Sequence, residues 1–245
     1  MNTTPVPLTR LVKHTLRPVL NIIAWSALNL AVVASLAFIL APRLGAHAEF
    51  SFVALGMTQV TVWFQFAMGI SLVHEQLRAF ISLGISRRRF AVAAGITLVI
   101  SSALMAAIGL LAFQLEGTYY AMQGWEHTVI GESLFARTGN LSLLFIEGFT
   151  GGLVYAAAGL LVGWSYQSMR APLATAMLLV TALLPLGLGT GLLSDPRLLA
   201  GLGLRGAADS LPVLLRPVLA VLFGVLVFLV ARHLLSRLAL RYRSS

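Results

Sequence analysis

This 245-residue chain holds eight carboxylates and five histidines and has no cysteine. Thiolate metal sites, disulfides and cysteine nucleophiles are therefore excluded. Three places have residue types that could do chemistry. Ser165, in Gly163-Trp164-Ser165-Tyr166, and His233 are the types of a nucleophile and its base, but a pair works only within hydrogen-bond reach, and both stand at the ends of their apolar runs. Glu147, in "LLFIEGFTGGLVYAAAGLLVG", is a carboxylate inside an apolar run, the situation of a proton or substrate pathway or of a structural hydrogen bond between helices. The third place is "HEQLRAFISLGISRRRF", in which Glu75 and Arg78 precede three consecutive arginines, Arg87, Arg88 and Arg89. That pattern suits recognition of a charged surface, not bond breaking. No catalytic residue, cofactor or metal is expected in this chain.

The elements that carry these residues are set by composition. The chain is 58% hydrophobic and 10% charged, with a mean hydropathy of +0.90, whereas soluble domains carry about 25% charged residues. Its net charge is +9. A nucleic-acid reading would need a basic face on a water-exposed domain; here the charges fall in short clusters between apolar runs, so no nucleic-acid partner is expected. A hydrocarbon layer needs roughly 20 apolar residues per helix, and six segments qualify: 19–41, 50–73, 90–113, 141–166, 172–193 and 211–235. The predicted fold is an all-α membrane protein, one transmembrane domain over residues 1–245. The first apolar run exceeds the roughly 7–15 residues of a signal-peptide core, and it is expected to be retained.

The links sort by charge. Arg10, Lys13 and Arg17, the Arg78–Arg89 segment, Arg170, and the tail with Arg232, Arg237, Arg241 and Arg243 fall on one side. Residues 42–49, the acidic 114–140 loop with Glu116, Glu126 and Glu132, and the 194–210 loop fall on the other. Arg197, Arg205 and Arg216 go against the trend in or beside that last loop. Because Lys and Arg remain in the cytoplasm, both termini are expected there, in a multi-pass protein of a bacterial cytoplasmic membrane.

Two amphipathic stretches stand out. In "PLTRLVKHTLRPVL" Leu8, Leu11, Val12 and Leu16 form one face and Arg10, Lys13, His14 and Arg17 the other, with Pro18 breaking the run before the first span; an interfacial helix is expected. In residues 73–83, Val73, Leu77, Phe80 and Ile81 recur at helical spacing opposite His74, Glu75, Gln76 and Arg78. Gly84 suits a helix C-cap and Ser86 an N-cap. Arg87–Arg89 then occupy a first helical turn, where the dipole disfavours cations, so something anionic should compensate: lipid phosphate or an acidic partner surface.

With its amphipathic N-terminus, six spans and acidic-then-basic segment between spans two and three, the chain resembles permease subunits of type-2 ABC exporters. "AAAGLLVGWSYQSMRAP" likewise looks like the fourth-span ending and tight turn of small bacterial ABC permeases, with Gly159, Gly163 and Arg170 in the expected places. The resemblance implies that Glu75–Arg89 is a coupling helix seated in a groove of a separate ATPase, with Leu77, Phe80 and Ile81 as its stiff apolar base. It further implies two ATPase copies, a second permease chain, identical or similar, and ATP hydrolysis outside this chain. "SDPRLLAGLGLRGAADSLP" resembles the short helices that cap the exit in such exporters. The importer-type loop, with Glu-Ala-Ala and a following Leu-Pro, is not met. Similarity of Gly163–Tyr166 to the rhomboid nucleophile motif fails at the next residue, where Tyr166 replaces the expected Gly. A proton-coupled secondary transporter and a non-transporting membrane subunit are the alternatives. Gly148, Gly151, Gly152, Ala156 and Gly159 give small residues at close-packing intervals, and Tyr119, Tyr120 and Trp125 are expected as interface anchors.

Overall fold

In the computed structural model, residues 7–43, 51–126, 140–169, 171–178, 212 and 215–237 are described. All regular structure among them is helical: α1 (Leu8–Arg43), α2 (Phe52–Ser71), a π-turn (Leu72–Gln76), α3 (Leu77–Ser82), α4 (Arg87–Gln123), α5 (Leu141–Ser168), α6 (Ala171–Leu178) and α7 (Leu215–Arg237). Three stretches, Arg87–Gln123, Leu141–Ser168 and Leu215–His233, are long and apolar enough to cross a membrane. The faces turned outward are apolar as well: Trp25, Leu36, Trp63, Leu222 and Leu226 are all more than half exposed. Backbone groups within each helix are paired internally, which is what a bundle surrounded by lipid requires.

Helix α5 is the centre. It starts at Asn140, whose side chain accepts from Ser142 N (3.1 Å) and Leu143 N (3.3 Å), an ordinary N-cap. Nearly every residue from Thr150 to Ser165 is buried, as expected of a helix apolar all round. Helices α2, α4 and α7 pack against it, and α1 lies on α4. The small residues of α5 fulfil the close-packing expectation. A Cβ on Gly159 would collide with the Phe66 carbonyl oxygen, and one on Gly163 would lie 3.0 Å from Ile70 O, so α2 and α5 touch backbone to backbone.

Two sequence expectations change. Pro18 does not break α1, which runs unbroken from Leu8 to Arg43. Leu11, Thr15, Val19 and Ile23 are all buried, at intervals of four, so one buried stripe passes straight through the proline. Pro18 removes only its own bond to the His14 carbonyl, a loss of about 3 kcal/mol that this continuous packing offsets. At 1.5 Å per residue the 36-residue helix is about 54 Å long, well over the roughly 30 Å of hydrocarbon. The 114–140 loop likewise begins later than hydropathy suggests. Helix α4 continues to Gln123, so Glu116, Tyr119 and Tyr120 are helical. Arg170, Glu132, Arg197, Arg205, Arg241 and Arg243, most of the expected 172–193 span, and the 194–210 loop lie outside the described residues.

Candidate docking hairpin at the basic end

The segment from Leu72 to Arg89 is a helical hairpin continuous with α2, not a detached surface helix. The π-turn carries α2 into α3. Gly84 then ends α3 at φ +75°, where a side chain would be strained. Gly84 N donates to Ile81 O (2.9 Å) and Ile85 N to Phe80 O (3.0 Å), the paired bonds of a Schellman motif, and Phe80 and Ile85 join one apolar cluster. Ser86 is extended (φ −66°, ψ 143°) and starts α4, with Phe90 N donating to its carbonyl at 3.0 Å. The Gly84 and Ser86 cap assignments read from the sequence are met, although the Ser86 hydroxyl makes no capping bond.

The underside of the hairpin is fixed. Val73, Leu77, Phe80 and Phe90 are buried, and Ile81 is half-buried. Phe80 meets Phe90 (5.6 Å between centroids) and the edge of His14 of α1 (5.6 Å). Thr15 of α1 and Thr97 of α4 share a hydrogen bond of 2.6 Å. At the end of α5, Gln167 accepts from Arg78 Nε (3.2 Å), and its amide nitrogen donates to the His74 carbonyl (3.3 Å). One side chain thus ties the π-turn and α3 to the central helix.

The upper side is charged. His74, Glu75, Arg78 and Arg88 are exposed, and Arg87 and Arg89 half-buried. Glu75, Arg87, Arg88 and Arg89 form no hydrogen bond or ion pair among the described residues. Leu83, at the tip, is 73% exposed; the sequence reading passed over it because an isolated leucine next to a turn has no periodic signal. Arg10, Lys13 and Arg17 of α1 are exposed at this same end, so the structure gathers the basic clusters read from the sequence.

Glu147 is not part of this group. It is buried in α5, twenty residues before Gln167 and so about 30 Å away along the helix. Deeper in the bundle lies a polar cluster that no sequence pattern marked. Gln65, Ser101 and Ser102 are buried, and Ser101 Oγ donates to Gln65 Oε1 (2.9 Å). Gln65 Nε2 and Ser102 Oγ have no hydrogen-bond partner among the described residues, and both side chains border Gly152, whose Cβ would fall 3.2 Å from Ser102 Oγ.

At the opposite end, buried Glu116 accepts from Ser51 Oγ and from Val53 N (3.1 Å), and so caps the start of α2 with a negative charge. Tyr120 is fully buried and packs on Trp125 (5.6 Å). Gly124 (φ +68°) repeats the Gly84 turn there, with Trp125 N donating to Tyr120 O (2.9 Å). Tyr120 therefore staples a helix end from inside the protein. Ser165 Oγ is buried and donates to Val162 O (2.8 Å), not to a histidine. No family model, curated protein or solved structure matches the chain.

Proposed function

We propose that this chain is the membrane-spanning permease subunit of an ATP-driven ABC exporter of the type-2 class, and that the Leu72–Arg89 hairpin is its coupling element. In this reading six spans cross a bacterial cytoplasmic membrane with both termini inside. The chain pairs with a second permease, identical or similar, and binds two copies of a separate ATPase. One observation supports it most: a hairpin whose apolar base is locked to α1, α4 and α5, and whose charges, Glu75 and Arg87–Arg89, have no partner within the described residues. Mechanical coupling needs a stiff connection, which Phe80, Phe90 and Gln167 supply. Closure of the ATPase pair would press on the hairpin and on the first turns of α1, tilting the helices behind them to alternate access between the two sides.

The test is recovery of the tagged chain from its native membranes. A nucleotide-binding ATPase should come with it, and replacement of Glu75, Arg87, Arg88 and Arg89 by alanine, with membrane topology intact, should release the ATPase or uncouple its hydrolysis from export. Recovery of no ATPase, or unchanged transport by the alanine variant, would refute the reading. The buried Glu147 and the Gln65–Ser101 pair favour a second reading, proton-coupled secondary transport. That reading requires transport driven by a proton gradient and abolished by Glu147→Gln.

A further inference from the structure

Helices α4 and α7 meet α5 around a groove of about 410 Å³, lined by Val92, Ile96 and Val99 of α4, Leu153 of α5, and Val225 and Phe228 of α7. Its lining is otherwise apolar, but Arg232 stands at one end. The two long helices run antiparallel here: a Cβ on Gly95 would lie 2.6 Å from the Phe228 ring, whereas Gly224 meets Val154 of α5 beside the Gly152–Ser102 contact, further along α4, which puts Arg232 about level with Val92. Arg232 forms no hydrogen bond or ion pair among the described residues. One turn beyond Val92, and on the same face by helical period, is Arg88, exposed and likewise unengaged. Ile96, Val99 and Val225 are 37%, 47% and 48% exposed, so the groove opens on the outward, apolar side of the bundle.

We infer that this groove is a binding site for an anionic phospholipid, one acyl chain lying along Val92–Val99 and the phosphate held by Arg232 with Arg88. An arginine beside hydrocarbon requires a counter-charge or a route to water, and nothing described in the protein supplies the former. The apolar part runs from Val92 to Ile100, about 12 Å of helix, which suits a stretch of extended acyl chain and leaves the phosphate at the arginine end. The volume is in the range of small-molecule sites, about 300–1,000 Å³. The inference rests on membrane embedding, and Arg88 is the one residue it shares with the exporter reading.

The full chain, extracted in mild detergent, can be titrated with phosphatidylglycerol or phosphatidylcholine of identical tails and weighed intact by native mass spectrometry. The expected result is retention of phosphatidylglycerol at least about fivefold above phosphatidylcholine, the preference a single arginine gives near an anionic headgroup. Arg232→Gln should lower the preference, Arg232→Lys should keep most of it, the double variant Arg88→Gln/Arg232→Gln should bring the two lipids level, and Ile96→Trp, which fills the groove, should lower retention of both. Equal retention by the unaltered protein, or an undiminished preference in Arg232→Gln with its unfolding temperature unchanged, would overturn the proposal. So would efficient cross-linking between two Ile96→Cys chains, because a second copy would then cover the groove. No ATPase enters this assay, so its failure and a failure of the exporter reading are distinguishable.

Discussion

Gly69 and Gly159 face each other where α2 crosses α5. A Cβ on Gly69 would strike the Ala156 carbonyl oxygen and lie 2.7 Å from Leu160 N, and one on Gly159 would strike the Phe66 carbonyl oxygen. The obstacles are backbone atoms, so no rotamer change can make room. Either glycine replaced by alanine should destabilise the bundle by about 1–3 kcal/mol, the usual cost of overpacking. Gly148→Ala is the control: its Cβ would meet Ala106 Cβ at an ordinary 3.5 Å, and alanine favours the helix by nearly 1 kcal/mol. Thermal unfolding in detergent should rank Gly148→Ala at or above the unaltered protein and both other variants below it.

Gln167 is the polar tie between the hairpin and the central helix. Gln167→Leu keeps the side chain's bulk and removes both bonds. Amide hydrogen exchange across Leu72–Ser82 should then accelerate by about fivefold or more, equivalent to about 1 kcal/mol of lost local stability, while exchange in the middle of α5 stays unchanged. Uniform acceleration throughout the protein would show that Gln167 serves global stability instead.

Glu116 caps α2 from another helix. Glu116→Ala should lower stability by about 1–2 kcal/mol, since it removes a charge-assisted cap and leaves Ser51 Oγ without that acceptor. Because the two side chains share one interaction, adding Ser51→Ala should cost less in the Glu116→Ala background than alone. Additive effects in unfolding measurements would contradict the shared cap.

The Gln65 amide is buried with a nitrogen that has no partner among the described residues, which costs about 1–3 kcal/mol. Gln65→Leu, similar in size and apolar, should therefore leave the unfolding temperature unchanged or raise it. A transport defect in that more stable protein would mark Gln65 as part of the substrate's route. A fall in stability would mean that the Ser101 bond outweighs the orphaned nitrogen.

What could be read in advance followed from periodicity. Leu77 and Phe80 face inward with Glu75 and Arg78 outward, Gly84 and Ser86 mark the turn, and the glycines of α5 pack closely; each depends only on spacing along one helix. Contacts between distant segments were not legible. Nothing in "TVWFQFAMG" marks Gln65 as the partner of Ser101, and nothing in "QLEGTYY" marks Glu116 as the cap of a helix sixty-odd residues earlier. Pro18 misled for the opposite reason: its local penalty was clear, but the buried stripe from Leu11 to Ile23 that outweighs it exists only once α4 is in place. Hydropathy likewise ended α4 at Phe113, because the ten helical residues beyond are held by a C-terminal glycine turn and aromatic packing, not by an unbroken apolar run.

The widened turn at Leu72–Gln76 has one more consequence. Leu72 and Leu77 are five residues apart, yet both are buried; a regular helix would set them about 140° apart. The π-turn absorbs a surplus residue, so the helix on either side keeps its phase. Removing Gln76 should therefore yield a plain α-helix with Leu77 and Phe80 still facing inward, whereas a deletion elsewhere in α2 or α3 would turn one side away from its neighbours. The segment can lose one letter without losing its shape.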